Sequence, residues 1–197
     1  MADPALKMDD RFTYGQYRRW NDDQRWELID GEAWAMSSPS EWHQILFVRL
    51  VLAFGNFLEG KPCRLMAAPF DVLFPKRDEE DDEVDTVLQP DLLVFCDRSK
   101  LRSPNARGAP DLVVEILSPS TQRKDLNEKF RVYERAGVCE YWVVDPFARS
   151  LCLYRPGAPG RFDRGELHER SDRPERVESR VLEGFSIDMQ KLFAEPA

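Results

Sequence analysis

The chain has 197 residues, 42% of them hydrophobic and 32% charged, with a formal net charge of −8. That is enough to bury a sizeable core in one domain, and no apolar run approaches the roughly 20 residues a membrane helix needs. An acidic chain of this kind does not bind nucleic acid through its whole surface, which leaves only a local basic groove for such a partner.

Met1-Ala2-Asp3-Pro4 lacks the basic-then-apolar pattern of a secretory leader. Cys63, Cys96, Cys139 and Cys152 have neither metal-type nor redox-type spacing. Three of them sit in apolar, strand-like sequence, where a free cysteine is expected to act as a small buried hydrophobe, in a reducing cytoplasm. Aromatic residues at Phe12, Tyr14, Tyr17 and Trp20 predict a short helix packed on the domain. Trp26-Glu27-Leu28-Ile29 and Glu32-Ala33-Trp34-Ala35-Met36 flank Asp30-Gly31, a hairpin signal of the type I′ kind. Ser38-Pro39-Ser40 opens a helix to about Leu58, with Ile45, Leu46, Leu50, Leu52, Ala53, Phe54 and Phe57 recurring at three and four. Gly60 and Pro62 end it. Cys63 to Phe74 reads as a strand or strand pair. Asp78 to Asp85 follows with seven acidic residues in eight, a pattern that predicts a solvated loop rather than a metal site.

Two apolar runs then read as buried strands, around 88–96 and 111–117. Each encloses a lone carboxylate: Asp91 in Gln89-Pro90-Asp91-Leu92-Leu93-Val94-Phe95, and Glu115 in Leu112-Val113-Val114-Glu115-Ile116-Leu117. Burying an ionised carboxylate costs several kcal/mol unless a cation or hydrogen bonds compensate it. A divalent metal held by oxygen ligands would compensate both at once. Ser118-Pro119-Ser120-Thr121 supplies a turn and a cap for a helix over 122–136, which Gly137 closes. Leu126, Phe130 and Tyr133 make a stripe at i, i+4 and i+7. Lys129 fills the i+3 place, so it is expected to point at the sheet. A metal, a water it activates and an inward ammonium are the parts that phosphodiester hydrolysis needs. Glu140 to Asp145 and Leu151 to Arg155 predict a hairpin across Asp145-Pro146-Phe147-Ala148-Arg149. Residues 156–175 read as a polar loop, and 176–194 as a strand edge with one short helix. There is no internal repeat, so residues 1–197 read as one mixed α/β domain with its core at about 12–155.

Pro90-Asp91 followed by Val114-Glu115-Ile116-Leu117 resembles the PD-(D/E)xK nuclease superfamily. Several segments are similar, in order, to the bacterial Uma-type family of restriction endonucleases within it. They are Trp26-Glu27-Leu28-Ile29-Asp30-Gly31-Glu32, His43-Gln44, Gln89-Pro90-Asp91-Leu92, Val114-Glu115-Ile116-Leu117-Ser118-Pro119-Ser120-Thr121, Asp125-Leu126-Asn127-Glu128-Lys129 and Glu140-Tyr141-Trp142-Val143-Val144-Asp145-Pro146. The resemblance covers roughly residues 12–155. It implies a restriction-endonuclease-like α/β fold, a central mixed sheet with helices on both faces. It also implies metal-dependent cleavage of nucleic acid, DNA foremost, with Mg²⁺ or Mn²⁺ on Asp91 and Glu115. One place departs from the superfamily: the lysine expected two positions after the acid is Leu117 here. The resemblance therefore implies that Lys129 has taken the role.

His43 lies in a family motif, and its helix face otherwise reads as core. Superfamily nucleases often carry a further acid near the start of the domain, which Glu32 would supply more readily than Glu27. Asp111, Ser118 and Ser120 read as structural, and Trp34, Trp42 and Trp142 as core or interface anchors. Arg102, Arg107, Arg123 and Lys124 flank the expected site as surface charges within reach of phosphates. A homodimer would bring two sites to the two strands of a duplex. No membrane partner is expected. Two other readings stand beside the nuclease: a non-catalytic scaffold that binds nucleic acid or a protein partner, and a hydrolase of another phosphate ester.

Overall fold

A computed structural model describes residues 10–119, 122–171 and 173–195. In chain order the elements are α1 (Tyr14–Tyr17), β1 (Trp26–Ile29), β2 (Glu32–Ala35), α2 (Glu41–Leu58), β3 (Arg64–Ala67), β4 (Val72–Leu73), β5 (Val87–Leu88), β6 (Leu92–Phe95), β7 (Ala106–Arg107) and β8 (Leu112–Ile116). Then come α3 (Gln122–Lys124), a π-helical turn (Asp125–Lys129), α4 (Phe130–Ala136), β9 (Glu140–Asp145), β10 (Ser150–Tyr154), β11 (Glu166–Glu169), β12 (Arg176–Glu178), β13 (Ser186–Asp188) and α5 (Met189–Leu192).

The central sheet is mixed and six-stranded, in the order β11-β10-β9-β8-β6-β3. Only β8 and β9 run parallel in it, joined by the helical segment at 122–136, the crossover that a parallel pair requires. A five-stranded sheet, β2-β1-β5-β4-β7, lies beside it. Gln89-Pro90-Asp91 breaks the single strand expected over 88–96 into β5 and β6, which belong to different sheets. Proline has no N–H to give to a ladder, so pairing stops there, and Asp91 is set at the crossing.

Side-chain alternation divides the core. Leu92, Val94, Leu112, Val114 and Ile116 pack under Leu46, Leu50 and Phe54 of α2. Leu93, Phe95, Val113 and Val143 face Val132 and Tyr133 of α4 together with the smaller sheet. In α2 the buried positions are His43, Leu46, Leu50, Phe54 and Leu58, a narrower stripe than expected, since Leu52 is exposed. Trp142 is fully buried, against Phe54 and Phe185.

Several expectations are corrected. Cys63 and Cys96 are joined by a disulfide, because the β3–β6 register pairs Arg64 with Phe95 and sets the two preceding and following cysteines opposite each other. Only Cys139 and Cys152 are free. The polar stretch 156–175 contains β11, which extends the sheet from β10. The acidic segment is the solvent-facing loop expected, but it is also pinned: Arg18 and Lys76 bind Asp82 and Asp85 at 2.9 and 2.7 Å. Arg107 binds Asp81 at 2.6 Å, with Arg102 at 3.6 Å, so both arginines serve this loop. Ser120 and Thr121 of the expected cap lie outside the described residues; Ser118 accepts the N–H of Gln122 through its backbone carbonyl. No helix among the described residues is long and apolar enough to cross a membrane.

Candidate active site

Strand register makes the first part of the site. Leu92 pairs with Val114 across antiparallel β6 and β8, so Asp91, one residue earlier, stands opposite Glu115, one residue later. Cross-strand partners project from the same face. The two carboxylates thus meet in the floor of a cleft of about 190 Å³, whose walls include Arg25, His43, Gln44 and Lys124.

Each carboxylate is anchored by one oxygen. Oδ2 of Asp91 accepts the backbone N–H of Ile116 at 2.7 Å and lies 3.2 Å from Nε2 of His43. Oε1 of Glu115 accepts from Nζ of Lys129 at 2.8 Å and from the Tyr133 hydroxyl at 2.6 Å. Oδ1 of Asp91 and Oε2 of Glu115 take no protein hydrogen bond among the described residues and remain available to the cleft.

The second part comes from the helical segment. Its middle is a π turn, whose i→i+5 hydrogen bonds widen the helix and leave 3.6-residue periodicity behind. Leu126, the first member of the expected stripe, is exposed as a result, whereas Lys124, Asp125 and Lys129 are buried. Lys129 does turn inward, but the π turn sets its direction. Its ammonium sits between Glu115, Glu27 at 2.9 Å and Asp125 at 3.4 Å. Lys124, expected at the surface, donates to Oε2 of Glu27 at 2.6 Å.

Glu27 is fully buried and also accepts the backbone N–H of Gln89. Glu32 is elsewhere. It pairs with Ile29 in the hairpin, two positions toward the turn from Glu27, a displacement of about 7 Å along the strand. There it faces Arg11 at 3.6 Å and does not line the cleft. The signal that marks Asp91 and Glu115 is equally present at Glu27, a lone acid between Trp26 and Leu28-Ile29. Nothing comparable marks Lys124, because a π turn leaves no trace in a 3.6-residue pattern.

The environment drives these acids apart. Burial pushes the Glu115 carboxyl up to about 8, with Asp125, Asp91 and Glu27 adding repulsion against the pull of Lys129. Burial acts upward on Glu27 too, but the charges of Lys124 and Lys129 and the bond from Lys124 bring it down to about 2. For Lys129, burial works against the charge and loses to Glu115, Glu27 and Asp125, which hold the ammonium well above its ordinary range. Glu27, Glu115 and Asp125 thus share two ammonium groups.

Mg²⁺ fits what remains. It commonly takes one or two protein carboxylates and completes its octahedron with waters and phosphate oxygens. Asp91 and Glu115 offer that set. Among the described residues no group of three or more His, Cys, Asp or Glu side chains is arranged to hold a metal by itself.

Comparison with known proteins places this site in context. Residues 14–190 match the model of the Uma2 family, described as "Putative restriction endonuclease". An uncharacterised protein of Synechocystis sp. is 30% identical over 148 residues, 74% of each chain. The crystal structure of a "putative nuclease belonging to DUF820" from Anabaena variabilis superposes with a TM-score of 0.71 at 19% identity. It covers 91% of this chain and 95% of that one, so the two share a fold.

Proposed function

The chain belongs to the Uma2 family, and on that premise we propose that its cleft hydrolyses phosphodiester bonds of nucleic acid, DNA foremost, with Mg²⁺ or Mn²⁺ on Asp91 and Glu115. One observation carries this reading: Asp91, one residue before β6, and Glu115 of β8 line the same cleft, with the buried ammonium of Lys129 2.8 Å from Glu115. When bound, the cation would polarise the phosphate and acidify a water.

The chain's own residues supply position and charge. His43 and the Ile116 N–H fix Asp91 through one oxygen, and Tyr133 and Lys129 fix Glu115 the same way, leaving the other oxygens for ligation. Lys129 places positive charge where the attacked phosphate gains negative charge, in a site largely shielded from water. Arg25 at the cleft wall is within the reach of an incoming backbone. A two-fold pair of chains would present one such cleft to each strand of a duplex.

The test is cleavage of supercoiled plasmid, single-stranded DNA and RNA with Mg²⁺, Mn²⁺ or EDTA, beside Asp91→Ala and Lys129→Ala. Metal-dependent scission of DNA that both substitutions abolish, by at least about 100-fold each, is the expected result. Scission that persists in EDTA or in Lys129→Ala contradicts the mechanism. Nucleic-acid binding without scission in any condition would identify a scaffold instead.

A further inference from the structure

The site holds more carboxylate than a single ion needs, and the π turn determines what happens to the surplus. In a regular α-helix, residues five apart diverge by about 140° around the axis. The π turn over Asp125–Lys129 brings the side chains of Lys124 and Lys129 onto one carboxylate. Lys124 binds Oε2 of Glu27 at 2.6 Å and Lys129 lies 2.9 Å from Oε1. Oε1 also accepts the N–H of Gln89, so both oxygens of Glu27 are engaged. Glu27 and Glu115 each lie within 2.9 Å of the same ammonium nitrogen, which puts Glu27 beside the proposed metal centre rather than apart from it.

We infer that Lys124 serves as a built-in counter-ion that withdraws Glu27 from metal binding and limits the centre to one divalent cation. This rests on the reading that Asp91 and Glu115 hold such a cation. Two-ion phosphodiesterase centres need carboxylates for both ions; Asp125 lines the cleft as well, and Glu27, buried behind it and sharing the Lys129 ammonium with Glu115, is the further acid that could serve a second. A fully buried anion must keep a compensating charge. With Lys124 absent, Glu27 keeps only the Lys129 ammonium, which it shares with Glu115 and Asp125, and a second cation becomes the available replacement for the lost charge. Lys124 is thus a positioning residue, acting through Glu27 on the number of ions the cleft accepts.

Counting bound Mn²⁺ by calorimetry and by the loss of the free-ion electron paramagnetic resonance signal tests this without reference to activity. The wild-type protein is expected to take one Mn²⁺ per chain, Lys124→Met two, and Lys124→Arg, which retains the charge, one. The double variant Glu27→Gln with Lys124→Met removes the buried pair together and avoids an uncompensated charge. It is expected to take one ion with affinity within about threefold of wild type, less than the 10–100-fold loss typical when a metal site is damaged.

Two ions in the wild type, or one in a folded Lys124→Met, would overturn the inference while leaving the Asp91–Glu115 centre intact. So would loss of the single ion in the double variant, since Glu27 would then be a ligand; this arm decides even if Lys124→Met does not fold. No ion in the wild type would overturn the metal centre itself, an outcome visible before any variant is compared.

Discussion

At the scale of single residues, the same carboxyl chemistry is set to different purposes by its neighbours. Glu27 and Glu115 are both buried, yet one is driven down to about 2 and the other up to about 8. The difference lies in the donors: Glu27 has two ammonium partners and Glu115 shares one. Asp30, at the hairpin turn, is the solvent-facing counterpart. Burial acts to raise it, but bonds and charge from Arg135 and Lys76 bring it to about 2. Its folded value is therefore below the unfolded carboxylate value near 4. The stabilisation it gives is fully present above that value and disappears as pH falls from about 4 towards 2. Asp30→Asn keeps a residue that tolerates the local φ of 51° and removes the charge. The melting temperature of wild type minus that of Asp30→Asn should be positive at pH 6 and shrink towards zero by pH 2. A difference that does not change with pH would mean that the Arg135 and Lys76 contacts contribute nothing.

At the scale of elements, what could be read from the chain and what could not divide on physical grounds. Alternation and apolar runs reveal buried strands because burial is periodic, and a charge inside such a run stands out. That exposed Asp91 and Glu115, and the hairpins at Asp30-Gly31 and Asp145-Pro146 follow from turn chemistry. The inward direction of Lys129 was legible only in outcome: the stripe through Leu126 that predicted it does not exist, and the π turn does the pointing. Choosing between Glu27 and Glu32 required knowing where the hairpin lies along the cleft, a tertiary distance no local pattern encodes. The Cys63–Cys96 bond was hidden for the same reason, since it depends on the pairing of β3 with β6 across 33 residues. That bond has a direct test. Titration of the denatured, unreduced protein should find two thiols per chain, Cys139 and Cys152, and reduction should bring the number to four. Four thiols before reduction would show that the β3–β6 link is absent.

At the scale of the whole molecule, a net charge of −8 is compatible with a nucleic-acid substrate because of where the charge sits. Much of it lies in the acidic segment 78–85, which Arg18, Lys76 and Arg107 tie to the smaller sheet and α1. Gly15 allows that contact, as a Cβ there would come within 2.9 Å of Asp82. The cleft opens where the two sheets part at Gln89-Pro90-Asp91, with β8, α2 and the π turn each contributing to its lining. A site assembled from elements so far apart in sequence holds its geometry only if the whole domain is folded, and metal binding should therefore stabilise that fold by mass action. The most direct test of the central claim is a crystal soaked in Mn²⁺ and measured for anomalous scattering. An anomalous peak between the carboxylates of Asp91 and Glu115, beside Lys129, is the result this account predicts. A cleft without a peak at saturating Mn²⁺, or a peak confined to the acidic segment, would contradict it.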